Sequence, residues 1–372
     1  MKAKDSLLIL VASASFFLLQ ACNPADKPSI PPAKPDSSAF VKGADISWCT
    51  EMEASGRKFY NRKGESRELC ALLKESGLDA VRLRVWVNPS GFGYGAWCDK
   101  ADLLVKARRA KAQGLKVMVD FHYSDFFADP SRQTTPLDWK DMSLSELQQA
   151  MSVHTKDVLQ TLKSEGIEVE WVQTGNEINN GMLWDCGKID WNKDAKTRYD
   201  NFVLLQNTAY DAVKSVYSDA AVILHYAGAV KAAEWDGWFF KELRDEGAKF
   251  DMIGLSFYPD YDNWSSSESG ADSNSNAAAA VSSLLNLFKL PVMVVETGFS
   301  SSDDALAARV MKDLVTRLSK IEGCKGVFYW EPEVDGTWKP SYYTKIGWQA
   351  YSMGAFTSEG KTGEAFEAFA AS

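Results

Sequence analysis

Eight short apolar runs, each followed by a stretch with helical character, are what most restrict the folds open to this chain. The runs are Val41–Ser47 (VKGADIS), Ala80–Trp86 (AVRLRVW), Lys116–His122 (KVMVDFH) and Val169–Glu177 (VEWVQTGNE). Four more follow, Ala221–Gly228 (AVILHYAG), Asp251–Tyr258 (DMIGLSFY), Pro291–Gly298 (PVMVVETG) and Gly326–Glu333 (GVFYWEPE). Their near-continuous apolar character suits strands covered on both faces, as in a parallel sheet flanked by helices. The intervening helices carry end signals. Ala101–Gln113 stops at Gly114, Ser143–Glu165 opens with Ser143 three residues before Glu146, a capping box, and Asp303–Ile321 has apolar residues at helical spacing. Eight such units close naturally into a (β/α)8 barrel, and 372 residues suit one such domain. A doubly wound open sheet is the alternative. It usually has a Gly-rich first turn, whereas here the first run leads into GADISWCTEM without GxGxxG.

In a barrel of this kind the C-terminal strand ends and the loops after them build the site. Here those ends are strongly polar. In chain order they bring Asp45, then Arg82 and Arg84 followed by Trp86, then Asp120, His122, Asp125 and Asp129. Asn176 and Glu177 follow, then His225, Tyr258, Glu296, and finally Trp330, Glu331 and Glu333. Any one of them could be a helix cap, a solvated loop residue or half of a structural ion pair. Their convergence is a costly way to fill a barrel mouth, because buried charges need partners. The chain has no GxSxG elbow, phosphate loop or HExxH. His122 and His225 lie on separate strands without a tight ligand cluster, so no metal and no other cofactor is expected. Two glutamates in an aromatic cleft suit glycoside hydrolysis, one protonating the leaving oxygen and the other attacking the anomeric carbon or activating water. The 13 Trp, 13 Tyr and 19 Phe fit the same chemistry, since pyranose C–H faces pack on aromatic rings. A net charge of −9 speaks against nucleic acid as a partner.

The first 21 residues read as a signal peptide: Lys2 and Lys4, then an apolar run from Leu7 to Leu19. The run ends on Leu19-Gln20-Ala21-Cys22, which resembles a bacterial lipobox, so Cys22 is expected to be acylated and to become the mature N-terminus. Residues 22–39 are rich in Pro and polar residues and fit an extended tether, leaving 40–372 as the barrel domain. The expected location is the cell envelope, lipid-anchored at the outer membrane or cell surface, with the membrane touched through the lipid alone. Five further cysteines (Cys49, Cys70, Cys98, Cys186 and Cys324) leave at least one thiol free. Cys49 and Cys98 both follow strands and are a candidate pair.

The motifs Gly43-Ala44-Asp45-Ile46-Ser47, Val81–Trp86 (VRLRVW), Asp120–Asp125 (DFHYSD), Gly175-Asn176-Glu177, Val295-Glu296-Thr297 and Tyr329-Trp330-Glu331-Pro332 occur in this order. Together they resemble glycoside hydrolase family 53, the endo-β-1,4-galactanases, from about Lys42 to Trp348. The resemblance implies a retaining enzyme acting on β-1,4-galactan or type I arabinogalactan side chains of pectin; the chain is expected to be a monomer. Glu177 matches the acid/base and Glu296 the nucleophile. Asn176 would bond the sugar 2-OH, and Arg84 would hold Glu296 ionised. Asp45, His122, His225, Tyr258 and Trp330 match positions lining the subsites, with Trp86 and Trp184 extending the stacking surface. Two departures stand out. Phe127 occupies the place of the family's usual Trp in SDxWADP, so an outer subsite is expected to differ. The long calcium-binding loop of some bacterial members is missing after the seventh run, where GFSSSDDALAARV passes almost directly into a helix, and the acidic stretch Asp260–Asn276 reads as a solvated loop. The competing readings are a related retaining barrel acting on mannan, xylan or β-glucan, and a surface glycan-binding lipoprotein without catalysis.

Overall fold

A computed structural model describes residues 40–93, 95–194, 197–259 and 270–372. Eight parallel strands form a closed barrel: β1 (Val41–Asp45), β4 (Ala80–Val85), β5 (Lys116–Phe121), β6 (Trp171–Thr174), β7 (Ala221–Ala227), β8 (Met252–Ser256), β9 (Val292–Thr297) and β10 (Cys324–Trp330). Neighbours follow chain order around the ring, and β1 closes it against β10 with Asp45 opposite Trp330. All eight coincide with the apolar runs. A short hairpin of β2 (Phe59–Tyr60) and β3 (Ser66–Arg67) lies outside the barrel.

The helices between strands obey the end signals. Ser143 Oγ accepts from the Glu146 amide while Glu146 Oε2 accepts from the Ser143 amide at 2.8 Å, so the capping box starts the helix Leu144–Ser164. The helix Lys100–Ala112 runs into Gly114, whose φ of +66° suits glycine. Only residues 298–303 separate β9 from the helix Asp304–Leu318. Residues 260–269 of the acidic stretch and the lipobox at Cys22 lie outside the described residues. No described helix is long and apolar enough to cross a membrane.

Side-chain alternation divides the barrel interior into a dry floor and a polar mouth. The floor is a small cluster including Val41, Ala80, Met118, Trp171, Ile223, Met252, Met293, Val295 and Phe328. Two residues further along the strands the inward positions become Gly43, Arg82, Asp120, Gln173, His225 and Gly254. Gly43 is required because a methyl there would overlap the Phe328 ring, and a Cβ on Gly254 would meet Ile223 at 2.5 Å.

One strand departs from strict alternation. Beside β8 the register steps from Leu255↔Val294 to Ser256↔Glu296, and beside β10 from Val327↔Val294 to Tyr329↔Thr297. Both neighbours therefore see one extra residue in β9, a bulge. Met293 and Val295 already point inward, so alternation alone would send Glu296 outward; the bulge brings it into the mouth.

All five described cysteines are free. Cys49 and Cys98 do not pair: the Cys98 thiol instead faces the Ser47 carbonyl at 3.6 Å and Lys106 Nζ at 3.9 Å.

Candidate active site

A cleft of about 280 Å³ opens at the C-terminal mouth of the barrel. His122, Asn176, Glu177, Tyr258, Glu296 and Trp330 all line it, together with Phe127. Three aromatic walls were absent from the sequence reading: Tyr343, Trp348 and Tyr351. They come from the stretch Tyr342–Met353, after the last barrel strand, where the density of aromatics in YYTKIGWQAYSM was the available signal.

Glu296 is held from below by Arg82. The guanidinium reaches Glu296 Oε1 at 2.8 Å, Asp45 at 2.7 Å and Asp120 at 2.9 Å, and it is 1% exposed. It also donates to Asn176 Oδ1 at 2.8 Å, tying the end of β6 to the same ion cluster. From the cleft side the Tyr258 hydroxyl donates to Glu296 Oε2 at 3.2 Å. Burial raises the Glu296 pKa and Arg82 pulls it back.

The partner expected from the sequence was Arg84, and the geometry corrects this. Arg84 lies two residues further along β4, roughly 6–7 Å higher at about 3.3 Å per residue. There it pairs with Glu331 and sits over the rings of Phe127 at 4.7 Å and Trp48 at 5.0 Å. It organises the aromatic wall rather than Glu296. Trp86 is also displaced from its expected place. It is fully buried, 5.1 Å from Phe127 ring to ring, and backs the wall without reaching the cleft. Phe127, in contact with Trp86, Trp48 and His122, is the ring that faces the cleft.

Glu177 follows β6 through a tight turn. Gly175 has φ +94° and a Cβ there would meet Ile178 at 2.6 Å; Glu177 itself has φ +48°. A non-glycine residue in this left-handed region costs on the order of 1–3 kcal/mol and persists only where its surroundings hold it. They do so with hydrogen bonds. The Glu177 amide donates to His225 Nδ1 at 3.2 Å, as does Gln173 Nε2 at 2.9 Å. With Nδ1 accepting, the imidazole proton sits on Nε2 and is donated to Ser256 Oγ at 2.8 Å. Ser256 in turn donates to Glu177 Oε1 at 2.6 Å. Burial, first, and Arg82, second, keep His225 neutral. Burial and the neighbouring Glu296 charge push Glu177 up to about 8. Ser256 went unnoticed in the sequence because a serine ending an apolar strand has no distinguishing pattern.

The remaining expected residues sit beneath or beside the cleft. Asp45 is fully buried, accepting from Arg82 and from Ser47. His225 is likewise buried and acts through Ser256 and the Glu177 backbone. His122 lines the cleft with Nδ1 accepting from the Ala128 amide and Nε2 donating to Asp120 at 2.9 Å. Trp184 is not part of the cleft wall; its indole donates to the Asn180 carbonyl at 2.9 Å, and Lys188 Nζ lies 4.5 Å from its ring. Among the described residues no group of three or more His, Cys, Asp or Glu is placed to hold a metal ion.

A buried carboxyl and a half-buried one in unlike environments, in an aromatic cleft at the mouth of a (β/α)8 barrel, define the class as a barrel glycosidase. The chain belongs to glycosyl hydrolase family 53, which it matches over residues 41–370. It is 33% identical over 325 residues to a probable arabinogalactan endo-β-1,4-galactanase A of Neosartorya fischeri, covering 80% of this chain and 85% of that one. It is 29% identical over 350 residues to an endo-β-1,4-galactanase of Bacillus subtilis, covering 85% and 75%. A solved fungal β-1,4-galactanase superposes with a TM-score of 0.75 at 27% identity, over 90% of this chain and 100% of that chain.

Proposed function

We propose that the chain is an endo-acting, retaining hydrolase of β-1,4-galactan or type I arabinogalactan, with Glu177 as acid/base and Glu296 as nucleophile. The observation that carries this reading is the unequal treatment of two carboxyls sharing one cleft. Glu296 touches a guanidinium that favours its charge; Glu177 receives a hydroxyl instead, and the charge of Glu296 favours keeping its proton. In the first step Glu296 attacks the anomeric carbon while the proton of Glu177 passes to the departing glycosidic oxygen. In the second, Glu177 takes a proton from the water that displaces Glu296, restoring both groups. Trp330 and the other cleft rings offer faces for the sugars, and Asn176, with one amide hydrogen on the Ala128 carbonyl, has another for the 2-OH. The galactanase names of the relatives support the substrate.

The test is incubation with linear β-1,4-galactan, with sizing of products over time and proton NMR of the first-formed anomer. Random-length intermediates that shorten progressively, released as β anomers, are expected. Turnover of mannan, xylan or β-glucan without galactan would overturn the substrate; galactan binding without product would overturn catalysis. The same reading has the enzyme monomeric and anchored in the cell envelope through acylated Cys22, on the strength of Leu19-Gln20-Ala21-Cys22 and the tether behind it. Mass spectrometry of the protein from cells should find an acyl-modified N-terminal cysteine, and Cys22→Ala should abolish it.

A further inference from the structure

A second group of aromatic rings lies on the mouth face of the barrel. Trp235 is 78% exposed and Trp191 39%. Trp238 stands between them, 6.2 Å from Trp235 and 5.2 Å from Trp191, ring to ring. None of the three lines the catalytic cleft.

Their presentation is built into the backbone. The helix Ala229–Asp245, which follows β7, is interrupted at Glu234–Gly237, with φ of +47° at Trp235, +58° at Asp236 and +63° at Gly237. Glycine and, to a lesser degree, Asp tolerate this conformation; at Trp235 it costs on the order of 1–3 kcal/mol. The strain is not offset by burial of the Trp235 ring, which the break instead turns into solvent. Gly237 is pinned by close packing, since a Cβ there would meet Phe288 at 2.7 Å.

Trp191 also forms one wall of an adjoining depression of about 730 Å³ whose other walls include Lys188, Asp190, Arg198 and Asn201. Rings interleaved with carboxylates, amides and cations match a ligand with apolar C–H faces and a rim of hydroxyls. Such a surface suits a sugar chain better than an apolar protein face. Asn180 ties it to the catalytic loop. Its Oδ1 accepts from the Trp191 indole at 2.7 Å, its carbonyl accepts from the Trp184 indole, and its Nδ2 donates to the Pro130 carbonyl at 2.8 Å. Only Ile178 and Asn179 separate Asn180 from Glu177.

We propose that Trp191, Trp235 and Trp238 form a second glycan-binding platform, outside the cleft, that holds a distal stretch of the same polysaccharide chain. This rests on the reading above that the substrate is a galactan polymer. A platform of this kind contributes nothing to a ligand too short to leave the cleft and adds affinity for a polymer that spans both.

The experiment compares Trp235→Ala and Trp191→Ala with wild type on polymeric β-1,4-galactan and on a short aryl galacto-oligosaccharide. Migration in native gels containing the polymer is measured in parallel on a Glu296→Gln background that leaves the polymer intact. Expected are unchanged kcat/KM on the short substrate, a loss of about three- to tenfold on the polymer carried by KM, and weaker retardation. Trp235→Phe should keep most of the wild-type behaviour. Variants that cleave and migrate like wild type overturn the platform, and so does an equal fall on both substrates. If wild type cleaves no galactan, the proposed function falls, and gels containing galactan, mannan or xylan decide the platform separately. Retardation of wild type by any of these polymers that is lost in Trp235→Ala upholds the platform; its absence, or its persistence in the variant, overturns it.

Discussion

Replacing Ser256 by alanine isolates one contact to the proposed acid. Ser256 donates to Glu177 Oε1 at 2.6 Å and receives the His225 Nε2 proton on its other side. A hydrogen bond to a carboxylate contributes about 1.5–3 kcal/mol net, and one between neutral groups about 0.5–1.5 kcal/mol. Ser256 thus favours the ionised form of Glu177 by about 1–1.5 kcal/mol, close to one pKa unit at 1.36 kcal/mol per unit. In wild type, kcat/KM on galactan should follow a bell. Its acid limb falls near 7, where Glu296 gains a proton, and its basic limb near 8, where Glu177 loses one. Without the hydroxyl the Glu177 pKa rises, so the basic limb of Ser256→Ala should move up by about one unit while the acid limb stays. The buried His225 N–H loses its acceptor, which costs about 1–3 kcal/mol of stability and is read separately by thermal unfolding. A basic limb that stays put or moves down would refute the reasoning: either Ser256 does not donate to the acid, or Glu177 is not the group on that limb.

Azide distinguishes the two glutamates. With an activated β-galactosyl substrate, Glu296→Ala should yield the α-galactosyl azide by direct displacement, and Glu177→Ala the β-galactosyl azide through the intact intermediate; NMR showing the reverse pair would exchange the roles. Gly43→Ala should lower the unfolding temperature, at a cost of about 1–3 kcal/mol, because its methyl overlaps the Phe328 ring in the barrel floor; an unchanged midpoint would show that the ring can move aside. Glu333 is buried beside Glu331, and burial followed by the Glu331 charge raises its pKa well above normal. A carboxyl whose pKa is raised on folding costs stability as pH climbs past its unfolded value of about 4.3. Glu333→Gln should therefore gain thermal stability relative to wild type at pH 8 compared with pH 4; a difference independent of pH would contradict this.

The barrel was legible in the sequence because its strands are buried on both faces, and runs such as Lys116–His122 and Ala221–Gly228 stay apolar from Val117 to Val119 and from Ala221 to Leu224, before Asp120 and His225. Glu177 and Glu296 were legible because each follows such a run and the two come together only if the barrel closes. The choice between Arg82 and Arg84 was not. Both point inward, and the sequence gives their order along β4 but not the height at which Glu296 crosses the mouth. Trp86 was misplaced for a related reason: an aromatic after a strand reads alike whether it faces the cleft or backs the ring that does. Tyr343, Trp348 and Tyr351 belong to no barrel strand, and only tertiary packing brings their segment over the mouth. The break that exposes Trp235 lies within a stretch, Ala229–Asp245, that otherwise supports a helix, so nothing local except Gly237 marks it.

The bulge in β9 makes the address of Glu296 a matter of counting. Below it the strand keeps step with the floor, Met293 and Val295 pointing in; at it, two consecutive residues point the same way. Straightening the strand by design, with every residue kept, would leave every motif intact on paper. It would also rotate Thr297 into the mouth and turn the carboxylate into the helical layer, away from Arg82. Transplanting Val295-Glu296-Thr297 onto a regular strand would carry over the letters without the chemistry.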